Sequence, residues 1–218
     1  MATLFDELLK RAKAGDTDAQ MAVAEIYFKG KGVIPNPTES LYWLEKAALN
    51  DKYASVQIAN MYLNGYGVAK DAKKAFDVTY KYANKNNEIQ MFNLAGYYLN
   101  GVGTVKDVYE AISWYKKAYQ NSFYEAAYYL GFIYQTVDEV KDMEEAIKWY
   151  EKAVEYNNGR AAYNLAYLYL DGSVVAKNNE KALEYANKAL SLGVKEAEQL
   201  IGQINSSSDG YFNYSMYF

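Results

Sequence analysis

Glu88-Ile-Gln-Met-Phe-Asn-Leu-Ala-Gly-Tyr-Tyr-Leu-Asn-Gly-Val-Gly103, continued by Thr104-Val-Lys-Asp-Val-Tyr-Glu-Ala-Ile-Ser-Trp-Tyr-Lys-Lys-Ala-Tyr-Gln-Asn-Ser122, reads as helix, glycine turn, helix. In its first half Leu94, Ala95 and Tyr98 fall at i, i+1 and i+4, one face of a helix. The small Ala95 lets a neighbouring helix approach, and Tyr98 fills the space beside it. Gly101-Val-Gly103 stops that helix, because glycine accepts the left-handed conformation used at helix ends. The second half, Ala111 to Ala118, sets Trp114 and Tyr115 between small residues as a second amphipathic helix.

The chain returns to this register. Leu94-Ala95-Tyr98 recurs as Val23-Ala24-Tyr27, Ile58-Ala59-Tyr62, Leu130-Gly131-Tyr134 and Leu165-Ala166-Tyr169, with the tyrosines 35, 36, 36 and 35 residues apart. The glycine turn recurs as Gly30-Lys31-Gly32, as Gly65-Tyr66-Gly67 and, reduced, as Gly172-Ser173. The second helix recurs around Ser40/Trp43, Ala75/Val78, Ala146/Trp149 and Ala182/Tyr185. A fixed period of this length marks a stacked array in which each unit buries its faces against its neighbours.

The patterns Ala126-x3-Leu130-Gly131-x2-Tyr134 and Tyr62-x2-Gly65-x-Gly67-Val68-x2-Asp71-x2-Lys74-Ala75 resemble the Sel-1-like repeat over roughly residues 17–193. That family is related to tetratricopeptide repeats and has a longer loop within each repeat. The resemblance implies an all-α fold, an α/α superhelix: a right-handed solenoid of antiparallel helix pairs. Residues 1–15 form a capping helix, the repeats span 16–51, 52–87, 88–122, 123–158 and 159–193, and 194–218 hold a partial sixth repeat and an aromatic tail. Two units depart from the pattern. The fourth has no glycine in its loop from Gln135 to Asp142, which is one residue shorter, and the second puts Val78-Thr79 where others place an aromatic pair.

Apolar residues make up 51% of the 218 and aromatic ones 17%, with 25 tyrosines, ample for a stacked core. A net charge of −4 argues against nucleic acid, which selects a basic footprint. No basic run suggests a membrane surface, and no apolar run approaches the roughly 18–20 residues a spanning helix needs. With no cysteine there are no disulfides. The first eleven residues carry acids where a signal peptide has an apolar core, so a cytoplasmic location is expected.

At the N-terminus, Thr3 and Asp6 form a capping pattern, and Leu4, Phe5, Leu8, Leu9 and Ala12 form a stripe ended by Gly15. The loop Val33-Ile34-Pro35-Asn36-Pro37 holds both prolines and reads as a stiff helix stop. Residues 195–204 read as a helix with Ala197, Leu200, Ile201 and Ile204 buried, broken by Ser206-Ser-Ser-Asp-Gly210. The tail from Tyr211 to Phe218 has two readings, a cap on the last helix pair or a docking segment for another chain.

Histidine and cysteine are both absent, which removes the usual general base, thiol nucleophile and zinc ligands. Ser113-Trp-Tyr-Lys116 matches the Ser-x-x-Lys pattern of penicillin-recognising enzymes, but it falls inside an ordinary second helix and its companion motifs are missing. The Gly-x-Gly turns lack the Gly-Lys-Ser/Thr of a phosphate loop. Asp138-Glu139, Asp142 and Glu144-Glu145 read as solvated carboxylates at a helix start rather than a cation site. No enzyme, cofactor or metal is expected.

By analogy with tetratricopeptide repeats, the first helix of each pair lines the concave face. The groove positions would be Met21, Glu25, Lys29; Val56, Asn60, Asn64; Phe92, Gly96, Asn100; Tyr128, Phe132, Thr136; and Tyr163, Tyr167, Asp171. The row passes from polar and charged to aromatic, a composition suited to gripping protein. Asn64 and Asn100 have a second reading as helix terminators, and Phe132 and Tyr167 as packed residues. Charge substitution at Tyr128 and Tyr163 is expected to weaken binding without loss of stability. The resemblance implies a non-enzymatic protein-binding adaptor or scaffold. The alternative is an immunity protein that neutralises a secreted bacterial toxin, as some bacterial members do.

Overall fold

The computed structural model describes residues 3–212, with side chains through 206. Among these, twelve α-helices and no strand are present. The chain divides into two compact units, Met1–Asn121 and Ser122–Phe218. The first holds α1 (Leu4–Lys13), α2 (Thr17–Lys29), α3 (Pro37–Ala47), α4 (Lys52–Asn64), α5 (Ala72–Ala83), α6 (Glu88–Asn100) and α7 (Val108–Gln120). The second holds α8 (Ala126–Thr136), α9 (Met143–Glu155), α10 (Gly159–Asp171), α11 (Asn179–Ser191) and α12 (Ala197–Phe212).

Helices pack in consecutive pairs, α2 with α3, α4 with α5 and α6 with α7 in the first unit, α8 with α9 and α10 with α11 in the second. Each pair is closed by the same bond. The residue that caps the second helix donates its backbone N–H to the repeat's tyrosine carbonyl: Asn36 to Tyr27, Asp71 to Tyr62, Asp107 to Tyr98, Asp142 to Tyr134 and Asn178 to Tyr169, all at 2.8–2.9 Å. The same five side chains accept from N–H groups of the first turn, satisfying donors that a helix start leaves open. The acids near Asp142 are therefore a helix start, with Asp142 Oδ1 accepting from the Glu144 and Glu145 N–H groups at 3.1 and 3.0 Å.

In the third repeat Gly101 ends α6 at φ +69, and Gly103 (φ +66) passes so close to α5 that a Cβ there would overlap the Ala72 carbonyl. The fourth repeat reaches the same closing bond without glycine. Val137 leaves α8 in extended conformation and a single 3-10 turn, Asp138–Val140, absorbs the missing residue. Its helices differ too. Tyr150 is fully buried with its ring flat on α8, where a Cβ added to Gly131 would meet ring carbon Cδ1 at 2.5 Å. Glycine at 131 is a packing requirement.

Three expectations need correction. The prolines do not stop α2, which ends at Gly30 in left-handed conformation; Pro37 is the first residue of α3, where its missing N–H costs nothing. Leu4 leaves the α1 stripe and is 75% exposed, while Phe5, Leu8 and Leu9 pack on the core and Ala12 is buried. The Thr3–Asp6 capping box is present. Finally, α12 does not break at Ser206 but continues to Phe212. Residues 213–218 of the aromatic tail lie outside the described residues.

A buried polar cluster was not anticipated. Gln90 occupies a position held by alanine in the other repeats (Ala19, Ala54, Ala126, Ala161), is fully buried, and donates to Ser55 Oγ at 3.2 Å. Asn87 Nδ2 donates to the same hydroxyl and to the Lys52 carbonyl. These bonds tie α4 to α6 with directional rather than apolar contacts.

Candidate protein-binding faces

The first helices of successive pairs touch one another, α4 with α6 in the first unit and α8 with α10 in the second, so each unit presents a first-helix face. The expected groove residues follow one burial rule. In four of the five repeats the first position is half-buried and the next two exposed; in the third repeat Gly96 is half-buried as well.

In the first unit four of these residues meet. Met21, Glu25 and Lys29 on α2 and Asn60 on α4 line a pocket of about 540 Å³. Its floor is the buried Ala24, Ser40, Leu44 and Met61, and its walls include Phe28, Gln57 and Tyr66. Lys29 Nζ donates to Glu25 Oε1 at 2.6 Å, and Lys31 approaches the same oxygen at 3.5 Å. That hydrogen bond and the lysine charges hold the Glu25 carboxyl below its ordinary range. The rim therefore offers a paired charge and amides around an apolar socket. Sequence reasoning missed Phe28, Gln57 and Tyr66. Tyr66 carried a signal, since a large aromatic between two turn glycines has no packing reason to be there.

Val56 is half-buried and Asn64 and Asn100 turn back on their own helices, donating to the Asn60 and Gly96 carbonyls at 3.0 and 2.8 Å. Both asparagines thus satisfy helix-end carbonyls, and Thr136 Oγ1 does the same for Phe132 at 2.7 Å. Phe92 meets Tyr115 edge-on at 5.3 Å.

In the second unit Phe132 and Tyr167 are 43% and 53% exposed. Tyr128 and Tyr163 are half-buried: the Tyr128 ring lies 5.4 Å from Tyr129 and 6.1 Å from Tyr150, and Tyr163 packs on the α10–α12 core. A charge at either would disturb packing, so Phe132 and Tyr167 are the cleaner probes of this face. Tyr128 and Tyr163 also line a pocket of about 340 Å³ with Arg160 and Asn164, neither of which the groove register picked out. Asp171 accepts from Ser173 in the turn after α10. Ser113 and Lys116 sit one turn apart on α7 beside Trp114 and Tyr115, two buried core residues.

Among the described residues no cluster of histidine, cysteine, aspartate and glutamate could hold a metal ion, and no helix is long and apolar enough to cross a membrane.

Comparison with known proteins places this architecture. A protective antigen of uropathogenic Escherichia coli with an SLR fold matches 92% of this chain at 27% identity and a TM-score of 0.76; the chain spans only 44% of that protein. A Sel1 repeat protein from Oxalobacter formigenes matches 91% of this chain and 89% of its own length at 26% identity and a TM-score of 0.69. The immunity protein PA5088 from Pseudomonas aeruginosa shares the fold at 18% identity and a TM-score of 0.56, covering 88% of this chain and 73% of that one. A search of curated proteins gives no match. The Sel1 repeat family model matches residues 17–52, 53–77, 91–123, 125–156 and 159–194. The second match ends just before Val78-Thr79 and the third begins just after Gln90, two of the places where this chain departs from its own repeat. The chain belongs to the Sel1 repeat family, whose members are protein-interaction modules built as helical solenoids.

Proposed function

We propose that this chain is a non-enzymatic adaptor that binds a protein or peptide partner through its first-helix faces. The observation that carries the reading is the α2–α4 pocket, an apolar socket reaching buried core residues and ringed by Glu25, Lys29, Gln57 and Asn60. Such a socket takes an apolar anchor side chain, while the rim amides and charges address the backbone around it. The exposed Phe132 and Tyr167 supply anchors of the opposite sense, protruding rather than receiving.

The test is capture from an extract of the organism that encodes the chain, comparing the parent with two variants. Ala22→Trp fills the pocket, and Phe132→Asp with Tyr167→Asp spoils the second face. A partner held by the parent and lost by either variant, at unchanged melting temperature, is the expected result. Equal capture by all three chains would overturn the reading. Assaying the captured partner with and without the chain then separates an adaptor, which leaves activity intact, from an immunity protein, which abolishes it.

A further inference from the structure

The two units differ in charge. Ser122–Phe218 carry fourteen aspartates and glutamates against eight lysines and arginines, whereas Met1–Asn121 carry thirteen against fifteen. All of the chain's net negative charge thus belongs to one unit. Part of that excess faces a groove of about 810 Å³ between α9 and α11, the second helices of successive repeats, lined by Glu151, Val154, Glu155, Glu184, Tyr185 and Lys188.

Glu151 and Glu155 stand at i and i+4 on α9, a like-charge spacing that destabilises a helix unless a cation answers it. Among the described residues none does: neither glutamate, nor Glu184, takes part in an ion pair. Glu184 and Lys188 have the spacing of a helical ion pair, yet Lys188 Nζ donates to Asn157 Oδ1 at 3.0 Å. Lys152, beside Glu151 in sequence, lies over the Trp149 ring at 4.0 Å. Val154 and Tyr185 are half-buried between the helices and give the groove an apolar floor. Burial, then the charge of Glu151, pushes the Tyr185 hydroxyl up to about 12, so it stays protonated and able to donate. In repeat register, the matching positions on α5 and α7 include Tyr80, Ala83, Asn84, Ser113, Trp114 and Lys117, without a carboxylate. The matching positions on α3 and α5 include Glu45 and Asp77, but Asp77 is answered by Lys73, so three carboxylates outside any ion pair distinguish the α9–α11 groove.

We propose that the α9–α11 groove is a second docking surface, which takes a basic helical segment of a protein partner. Lysines or arginines of that segment answer Glu151, Glu155 and Glu184, and its apolar face rests on Val154 and Tyr185. The surface lies on second helices and is independent of the first-helix faces.

The test uses the full chain and a fluorescein-labelled amphipathic helical peptide of lysine, leucine and alanine, read by anisotropy at physiological salt. Glu151→Gln, Glu155→Gln and Glu184→Gln combined should weaken binding about ten-fold. Glu139→Gln, Glu180→Gln and Glu198→Gln combined, an equal charge change elsewhere on the unit, should leave it intact. Raising the salt should weaken the parent complex. Absence of peptide binding, or equal loss in the two triple variants, would overturn the proposal. So would a lowered melting temperature in the groove variant, which would assign these carboxylates to the fold; relief of their repulsion predicts no decrease.

Discussion

The third and fourth repeats, the last of the first unit and the first of the second, build one hairpin from differently placed residues. In the third, the loop turns on Gly101 and Gly103, and the first helix carries Ala95-Gly96, with the Tyr115 hydroxyl near Gly96. In the fourth, the loop has no glycine and the helix carries Gly131-Phe132. Moving the glycine by one position lets the Tyr150 ring lie flat on α8, and its hydroxyl then donates to Gln135 Oε1 at 2.6 Å. The position matching Gly96 holds the exposed Phe132, as it holds exposed residues in the first, second and fifth repeats. What the repeat fixes is volume at each contact, and identities can move so long as the volume is conserved.

The largest effect should come from Gly103→Ala. It adds a Cβ to a left-handed residue and drives it into the Ala72 backbone, so a loss of about 3–4 kcal/mol is expected in denaturant titration. Gly32, at the corresponding site in the first repeat, has nothing within 4 Å of such a Cβ, so Gly32→Ala should cost only the conformational ~1–2 kcal/mol. Equal losses would break the claim that the glycine turn is buttressed by the preceding repeat. Next is Gly131→Ala, where overlap with Tyr150 outweighs improved helix propensity, for a net loss of about 1–2 kcal/mol. In a Tyr150→Leu background the same change should be neutral or stabilising, measured by thermal melts.

Asp107→Ala and Asp142→Ala should each cost about 1 kcal/mol, since each cap accepts two N–H bonds despite their different loops. Unequal losses would mean the shorter loop holds its cap differently. A separate effect appears only in alkali. Tyr185 has its folded pKa raised from 10.0 to about 12, chiefly by burial, so its contribution to stability is complete below pH 10 and is lost as the pH rises to about 12. Tyr185→Phe should flatten that part of the stability profile of the second unit, followed by circular dichroism.

The hairpin register was legible because it rests on spacing: small residues, tyrosines and the Asp/Asn caps recur at nearly constant intervals. The path of the fourth loop was not, because a 3-10 turn replaces glycine without a sequence mark. Among the groove residues, Met21, Glu25, Lys29 and Asn60 line one pocket. Phe28 escaped because it sits next to Tyr27, one residue out of register, and Tyr66 because it lies in a turn rather than on a helix. The α9–α11 groove depends on which lysines turn away from which glutamates, and side-chain partnering has no periodicity to read.

The five backbone bonds from second-helix caps to repeat tyrosines also make a set of matched reporters. Each joins the two helices of one repeat, and its amide can exchange with solvent only when that hairpin opens. Deuterium uptake at Asn36, Asp71, Asp107, Asp142 and Asn178 would therefore give a local opening free energy for every repeat in turn. A gradient along the series would reveal from which end the array frays, and a uniform set would show that it opens as one cooperative body.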